Sequence, residues 1–373
     1  MKRFFSKIDW WIIFSLIPLS VLSLSTMSTL GTGAGDSFFN KQLIWFGVSF
    51  IFLIIFTFID LSFLKKSKNM IMLYGFGISL LVLLFFFGLT ANGATSWISF
   101  GSFTFQPADL MKLILIFILA KYLARRHIEI KSMKHIIVTG IYFIIPFVLI
   151  FLQPDLGSAI ILFGIWIGMM VVSGISKKHL ILLFSIGFSL FIIMWVFVFK
   201  EYQKNRIQTF LDPLSDIRGA GYNAYQSTIA VGSGQIIGKG VGYGTQSRLS
   251  FLPEYETDFI FAAISEEWGF VGSVILIILL FFIIFRILKH AYSMNSNFEL
   301  LFAVGVACYF MTHIIINIGM NIGVMPVTGV TLPFLSYGGS HLVMEFISLG
   351  IIMGMRGRNR VVYQDSQADA FLH

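Results

Sequence analysis

Carboxylates crowd one short stretch of this chain: LPEYETDF places Glu254, Glu256, Thr257 and Asp258 directly ahead of a long apolar run. Two chemistries fit Asp258. With Thr257 it suits a helix start, where a side-chain oxygen caps exposed N–H groups; alternatively it is a general base at a water–lipid boundary, its proton affinity tuned by partial desolvation. Repulsion among the neighbouring carboxylates favours one of them holding a proton or finding a cation. A buried-type cation stands elsewhere: QPADLMK sets Asp109 and Lys112 three residues apart on one helical face. They form either a self-contained ion pair or a site in which Lys112 is the counter-charge for an entering anion such as a phosphate. In QPDLG, Pro154 fits a helix start and Asp155 either caps that helix or faces a cavity. Trp97, in NGATSWISFGSF, reads alone as an interfacial belt residue. Glu266, Glu267, Glu345, His313, Asn317 and Asn321 fall inside apolar runs, where polar groups either fix helix packing or line a proton or ion path; packing is the simpler account, with no pairing assigned.

The elements that must position these groups are set by composition. The chain is 57% hydrophobic and 12% charged, about half the charge of an ordinary soluble domain, so it cannot cover its exterior with polar groups and lipid must be part of its solvent. A cytosolic enzyme is excluded. Ten apolar stretches lie near residues 9–29, 41–63, 70–90, 107–124, 136–152, 155–174, 179–199, 258–288, 298–322 and 335–355, each close to the roughly 20 residues a helix needs to cross a bilayer. The first is too long for the h-region of a signal peptide and ends without a small-x-small cleavage site, so it is expected to stay in the mature chain. If the N-terminus is cytoplasmic, it, the alternate connections and the C-terminus together hold 18 of the 26 Lys and Arg, whereas Lys41 is the exception in the short loops opposite. That asymmetry is the positive-inside pattern. The expected fold is an all-α integral membrane protein of ten transmembrane helices, one polytopic domain over 1–373 with both ends cytoplasmic. A long extracytoplasmic loop, 200–257, separates the seventh and eighth spans.

That loop is too long to be a plain spacer. Within it GAGYNAYQSTIAVGSG reads as a short amphipathic helix closed by Gly, and GKGVGYGTQS as a compact turn. Neither Gly-rich stretch is a nucleotide loop, because Lys239 is followed by Gly240 rather than Ser or Thr and position 233 is Ser. A transferred sugar would therefore arrive on a lipid carrier. The net charge of +8 is topology signal rather than a nucleic-acid footprint. Cys308 alone permits no intrachain disulfide, and the seven His make no zinc-ligand spacing.

Taken together, GATSWISFGSFTFQPADLMK, QPDLGSAIIL, the run from Gly219 through LPEYETDFIFAAISEEWGF, and PVTGVTLPFLSYGGS resemble the SEDS family (shape, elongation, division and sporulation). These are polytopic peptidoglycan glycosyltransferases that include RodA and FtsW. The motifs cover residues 92–340 in order. The resemblance implies that Asp258 is the catalytic base and that Trp97, Lys112, Asp155, Glu254 and Thr257, with Gln246, Ser247 and Arg248 of the long loop, bind substrate. It implies polymerisation of lipid II, the undecaprenyl-pyrophosphate-linked disaccharide pentapeptide, outside the cytoplasmic (cell inner) membrane, with a class B penicillin-binding protein transpeptidase as partner. A RodA-like, elongation-specific role is expected, with an FtsW-like division role or a flippase of lipid-linked precursor as alternatives. A scaffold that only recruits the transpeptidase would leave Asp258 dispensable. No cofactor is assigned, and a divalent metal, Mg or Mn, held by carboxylates is left open. Arg206, Arg218, Lys239 and Arg248 join Lys112 as candidate partners for the pyrophosphate. The chain departs from the family pattern at Ser96, commonly Arg; at Asp109, usually Glu; at Glu256; and at His341 and Glu345 in the last span.

Overall fold

Apolar runs with a polar residue at one end become helices whose ends, not middles, carry the chemistry. The computed structural model describes residues 7–29, 35–91, 94–100, 103–125, 133–197, 204, 208–212, 220–249 and 251–370. Its helices are α1 (Trp10–Ser28), α2 (Gly35–Phe58), α3 (Ser67–Phe87), α4 (Pro107–Ala124), α5 (Met133–Leu152), α6 (Leu156–Val172), α7 (Lys177–Phe197), α8 (Ala220–Ser233), α9 (Thr245–Arg248), α10 (Ile260–Tyr292), α11 (Asn297–Asn321) and α12 (Gly339–Ala370). Each of the ten apolar stretches overlaps one of the long helices.

By length and composition alone, seven of them are suited to crossing a membrane: α1, α2, α3, α5, α7, α10 and α11. The remaining three fall short for visible reasons. Helix α6 has only 17 residues, α4 carries Asp109, Lys112 and Lys121, and α12 carries His341, Glu345 and Arg356. Of these polar residues, Asp109, Lys112, His341 and Glu345 build the interior site described below.

Helix α4 is buried on almost every face, and α11 is mostly buried between α4, α6 and α10. None of the described side chains of α7 is buried, so it stands at the periphery. Small residues spaced four apart let the inner helices approach closely, as packing without a hydrophobic drive requires. A Cβ at Gly350 or Gly354 of α12 would lie 2.5 Å from the Leu53 carbonyl oxygen or 2.8 Å from that of Thr57 on α2; Gly168 of α6 meets Cys308 of α11 in the same way. At the end away from the long loop, Asp9 caps α1 by accepting the Trp11 N–H at 3.0 Å. Its other oxygen meets Arg286 Nη2 at 2.6 Å, His290, and Arg356 at 3.4 Å. One buried carboxylate thus ties α1, α10 and α12 together.

One small sheet accompanies the helices. Between α3 and α4 the chain forms a small antiparallel sheet in the order β1 (Leu89–Ala91), β2 (Ala94–Phe100), β3 (Phe103–Phe105). Trp97 is opposite Leu89, and Ile98 opposite Phe105. Alternating Thr, Trp, Ile and Phe favour extended pairing over helix. The long loop contains α8, on the stretch read as an amphipathic helix, packed against α10 and α11.

Helix α10 is broken at Gly269, whose φ of 66° and ψ of −165° lie outside the helical region. The break frees backbone groups that pair with the glycine turn after α8: Phe270 N–H donates to Gln235 O, and Lys239 N–H to Glu266 O. Only glycine fits at Gly269, where a Cβ would come within 2.2 Å of the Gly238 nitrogen.

Candidate functional site

A cavity of about 740 Å³ opens among β2, the starts of α4, α6, α10 and α12, and the segment 327–331. Six of the nine residues expected to act line it: Trp97, Lys112, Asp155, Glu254, Thr257 and Asp258. Four helix N-termini border it, represented by Gln106, Asp155, Phe259 and Gly339. Each such end carries roughly half a positive charge from its unpaired N–H groups, which with Lys112 offsets part of the carboxylate charge lining the cavity.

The backbone of Asp258 is held from several sides. The cap of α10 is Phe259, without a side-chain cap bond, so the helix-capping account of Asp258 does not hold. Glu254, at φ 52°, turns the chain so that its carbonyl accepts from Thr257, Asp258 and Phe259 N–H. Two asparagines one turn apart on α11 then hold the corner. Asn317 Nδ2 donates to the Asp258 carbonyl at 2.9 Å and to that of Val330 at 2.7 Å. Asn321 Nδ2 donates to the same Asp258 carbonyl at 3.0 Å, while its Oδ1 accepts the Ala262 N–H at 3.1 Å and so caps α10 from a neighbouring helix. From the other side, Ser336 Oγ donates to Thr257 O at 2.6 Å and Tyr337 N–H to Glu256 O at 2.7 Å. The carboxyl is half-buried, and glycine at 329 keeps its surroundings open, since a Cβ there would lie 3.5 Å from Asp258 Oδ2. Burial, reinforced by the Glu254 charge against an opposing backbone hydrogen bond, pushes the neighbouring Glu256 carboxyl up.

Lys112 is buried and its Nζ lies 2.9 Å from Asp109 Oδ1. Both residues also line the cavity, so the local ion pair and the cavity-facing cation are one arrangement. Asp109 Oδ1 is in turn 3.3 Å from His341 Nδ1, whose Nε2 lies 2.8 Å from Glu345 Oε1. Asp155 performs both of its expected tasks: Oδ1 caps α6 through Ser158 N–H at 2.9 Å, Oδ2 accepts Gln106 Nε2 at 3.0 Å, and the residue faces the cavity.

The other expected residues lie apart. Gln246 belongs to α9 and is not among the described residues that line the cavity; Ser247 and Arg248 lie on the same helix with side chains outside the described residues, and Arg206 and Arg218 are also outside them. Glu266 anchors this turn, accepting Lys239 Nζ at 2.7 Å, Thr245 N–H at 2.9 Å and Gln246 N–H at 3.1 Å. Glu267 accepts Thr29 Oγ1 at 2.7 Å and Gly242 N–H at 2.9 Å. These two in-span carboxylates therefore serve packing. Among the described residues no group of three or more His, Cys, Asp or Glu is arranged to hold a metal, and no step below is routed through one. The roles of Asn317, Asn321, His341 and Glu345 were not assigned in advance; their pairing at i and i+4 within apolar runs was the available signal.

Residues 3–360 match the FtsW/RodA/SpoVE family, described as "Cell cycle protein". The chain is 35% identical to the probable peptidoglycan glycosyltransferase FtsW of Wigglesworthia glossinidia brevipalpis, over 94% of this chain and 93% of the relative. It is 37% identical to the peptidoglycan glycosyltransferase MrdB of Escherichia coli (strain K12), over 78% of each. Its fold is similar to a chain of a peptidoglycan synthase complex solved to show coordination of polymerization and crosslinking, with TM-score 0.80, 28% identity and coverage of 94% of this chain and 98% of that one. It is also similar to the Thermus thermophilus rod shape determining protein RodA, with TM-score 0.69, 26% identity and coverage of 94% and 97%.

Proposed function

The chain belongs to the FtsW/RodA/SpoVE (SEDS) family, and from that premise we propose that it is a peptidoglycan glycosyltransferase that polymerises lipid II into glycan strands at the outer face of the cytoplasmic membrane. The observation that carries this is the convergence of Asp258 and Lys112 on one cavity ringed by four helix starts. Asp258 takes the proton from the acceptor sugar 4-hydroxyl as that oxygen bonds to the donor's anomeric carbon. The bond from that carbon to the α-linked pyrophosphate breaks, the leaving oxygen keeps the electron pair, and a β-1,4 linkage forms with inversion. Pyrophosphate is already a weak base, so it needs positive charge rather than a proton donor. Lys112 and the helix N-termini supply that charge in a pre-arranged, partly desolvated site.

Ten spans, with both ends cytoplasmic and 200–257 outside, complete the proposal as a single polytopic domain. Its support is the cation asymmetry together with the Asp9, Arg286, His290 and Arg356 cluster at the end of α10 opposite the cavity. A class B penicillin-binding protein is the proposed partner, since a structural relative comes from a complex of polymerization and crosslinking. The RodA-like role is preferred, and relatives named FtsW keep the division-specific role beside it. A flippase would place its polar site near the bilayer midplane on a repeat; here the cavity sits at helix ends. Purified protein in liposomes with lipid II, with and without the transpeptidase, separates the two. Glycan polymer supports the enzyme, whereas lipid scrambling without polymer under either condition overturns it.

A further inference from the structure

Glu345 and His341 sit at the centre of a continuous chain of contacts under the cavity. Glu345 is fully buried and His341 nearly so. His341 Nδ1 pairs with Asp109 Oδ1 at 3.3 Å, and its Nε2 lies 2.8 Å from Glu345 Oε1, in close contact but not aligned as a hydrogen bond. The second oxygen of Glu345 accepts the Phe334 N–H at 2.9 Å. Phe334 is buried and has φ 65°, a backbone conformation costly for a bulky residue and held only when its surroundings enforce it. Two residues on, Ser336 Oγ accepts the Leu332 N–H at 2.8 Å and donates to Thr257 O at 2.6 Å, next to Asp258.

We infer that Glu345, held by His341, is a positioning residue that pins the strained Phe334 turn and through Ser336 fixes Asp258 relative to the Lys112–Asp109 pair. One carboxylate therefore joins the two sides of the cavity: its His341 contact leads to the cation, and its Phe334 contact leads to the base. This rests on the glycosyltransferase reading above. A buried network that served packing alone would show the same contacts, so the test must separate stability from turnover.

Removing both members of a buried charged pair in favour of apolar residues of similar volume is often neutral for stability, whereas removing one is not. The pair His341→Leu/Glu345→Met does the former. Glu345→Gln instead keeps an oxygen that can accept the Phe334 N–H. Each purified full-length variant is compared with wild type for lipid II polymerisation with the transpeptidase present, thermal unfolding in detergent, and hydrogen exchange at the Phe334 amide.

The double variant should unfold at or near the wild-type temperature, exchange faster at Phe334, and lose roughly ten- to hundredfold in kcat with KM little changed. Glu345→Gln should keep slow exchange at Phe334 and most of the kcat. A folded double variant with wild-type kcat overturns the inference while leaving the enzyme reading intact, and so does a Glu345→Gln protein as impaired as the double variant. Absence of polymer from wild type refutes the enzyme reading, and the positioning role with it. Unchanged Phe334 exchange in the double variant overturns the inference whatever the activity.

Discussion

Asn321 reaches from α11 to donate its side-chain amide to the Asp258 carbonyl at 3.0 Å while accepting the Ala262 N–H at 3.1 Å. The corner before α10 is thus capped from another helix, and Asp258 lines the cavity. Asn321→Ala would strand a buried carbonyl contact and a helix N–H, at about 1–3 kcal/mol. Thermal unfolding in detergent should fall accordingly, and turnover should fall further than a stability loss explains. Unchanged turnover in a destabilised variant would show that the corner does not need this brace.

Lys112 should matter for catalysis more than for folding. Asp109 retains His341 when Lys112 is lost, which softens the cost of breaking a buried pair, and in Lys112→Met protein shown to be folded, losing a cation aimed at developing charge should cost roughly 10²–10³ in kcat. Steady-state polymerisation of lipid II checks this. A Lys112→Met protein with near-normal kcat would assign the residue to packing.

Glu256 gives a pH signature. Its folded carboxyl titrates above the ordinary value because of burial and then Glu254, so the folded state holds the proton more tightly than the unfolded chain. The stability this confers is present below the ordinary carboxylate range and is lost as pH rises through the folded value. Glu256→Gln should therefore unfold at a higher temperature than wild type at neutral pH, with the difference closing on acidification. Thermal scans across pH read it directly, and a gap that widens in acid would contradict the assignment.

Much of the architecture was legible because it is local. Apolar runs predict the long helices, the composition of GAGYNAYQSTIAVGSG predicts α8, and three separate motifs name six residues that meet in one cavity. What stayed hidden depends on distant partners. Asn317 and Asn321 are ordinary polar residues in an apolar run until the chain brings Asp258 against them. Gly269 looks helical until the glycine turn at Gly238 approaches it. Gln246 shares a motif with the site but is turned toward Glu266 by its backbone N–H. Asp258 was equally suited to capping on local grounds, and the Asn321 bond to Ala262 decides against it.

The central claim is that Asp258 is the base. Because Asn317, Asn321 and Glu254 hold the backbone of this residue, Asp258→Asn should fold with the cavity intact. Glycan chain formation from lipid II by equal amounts of wild type and Asp258→Asn, each with the transpeptidase partner, is the most direct measurement. The account predicts polymer from wild type and a loss of at least about 10²–10⁴ in rate for the folded variant; polymer from Asp258→Asn at the wild-type rate would contradict it.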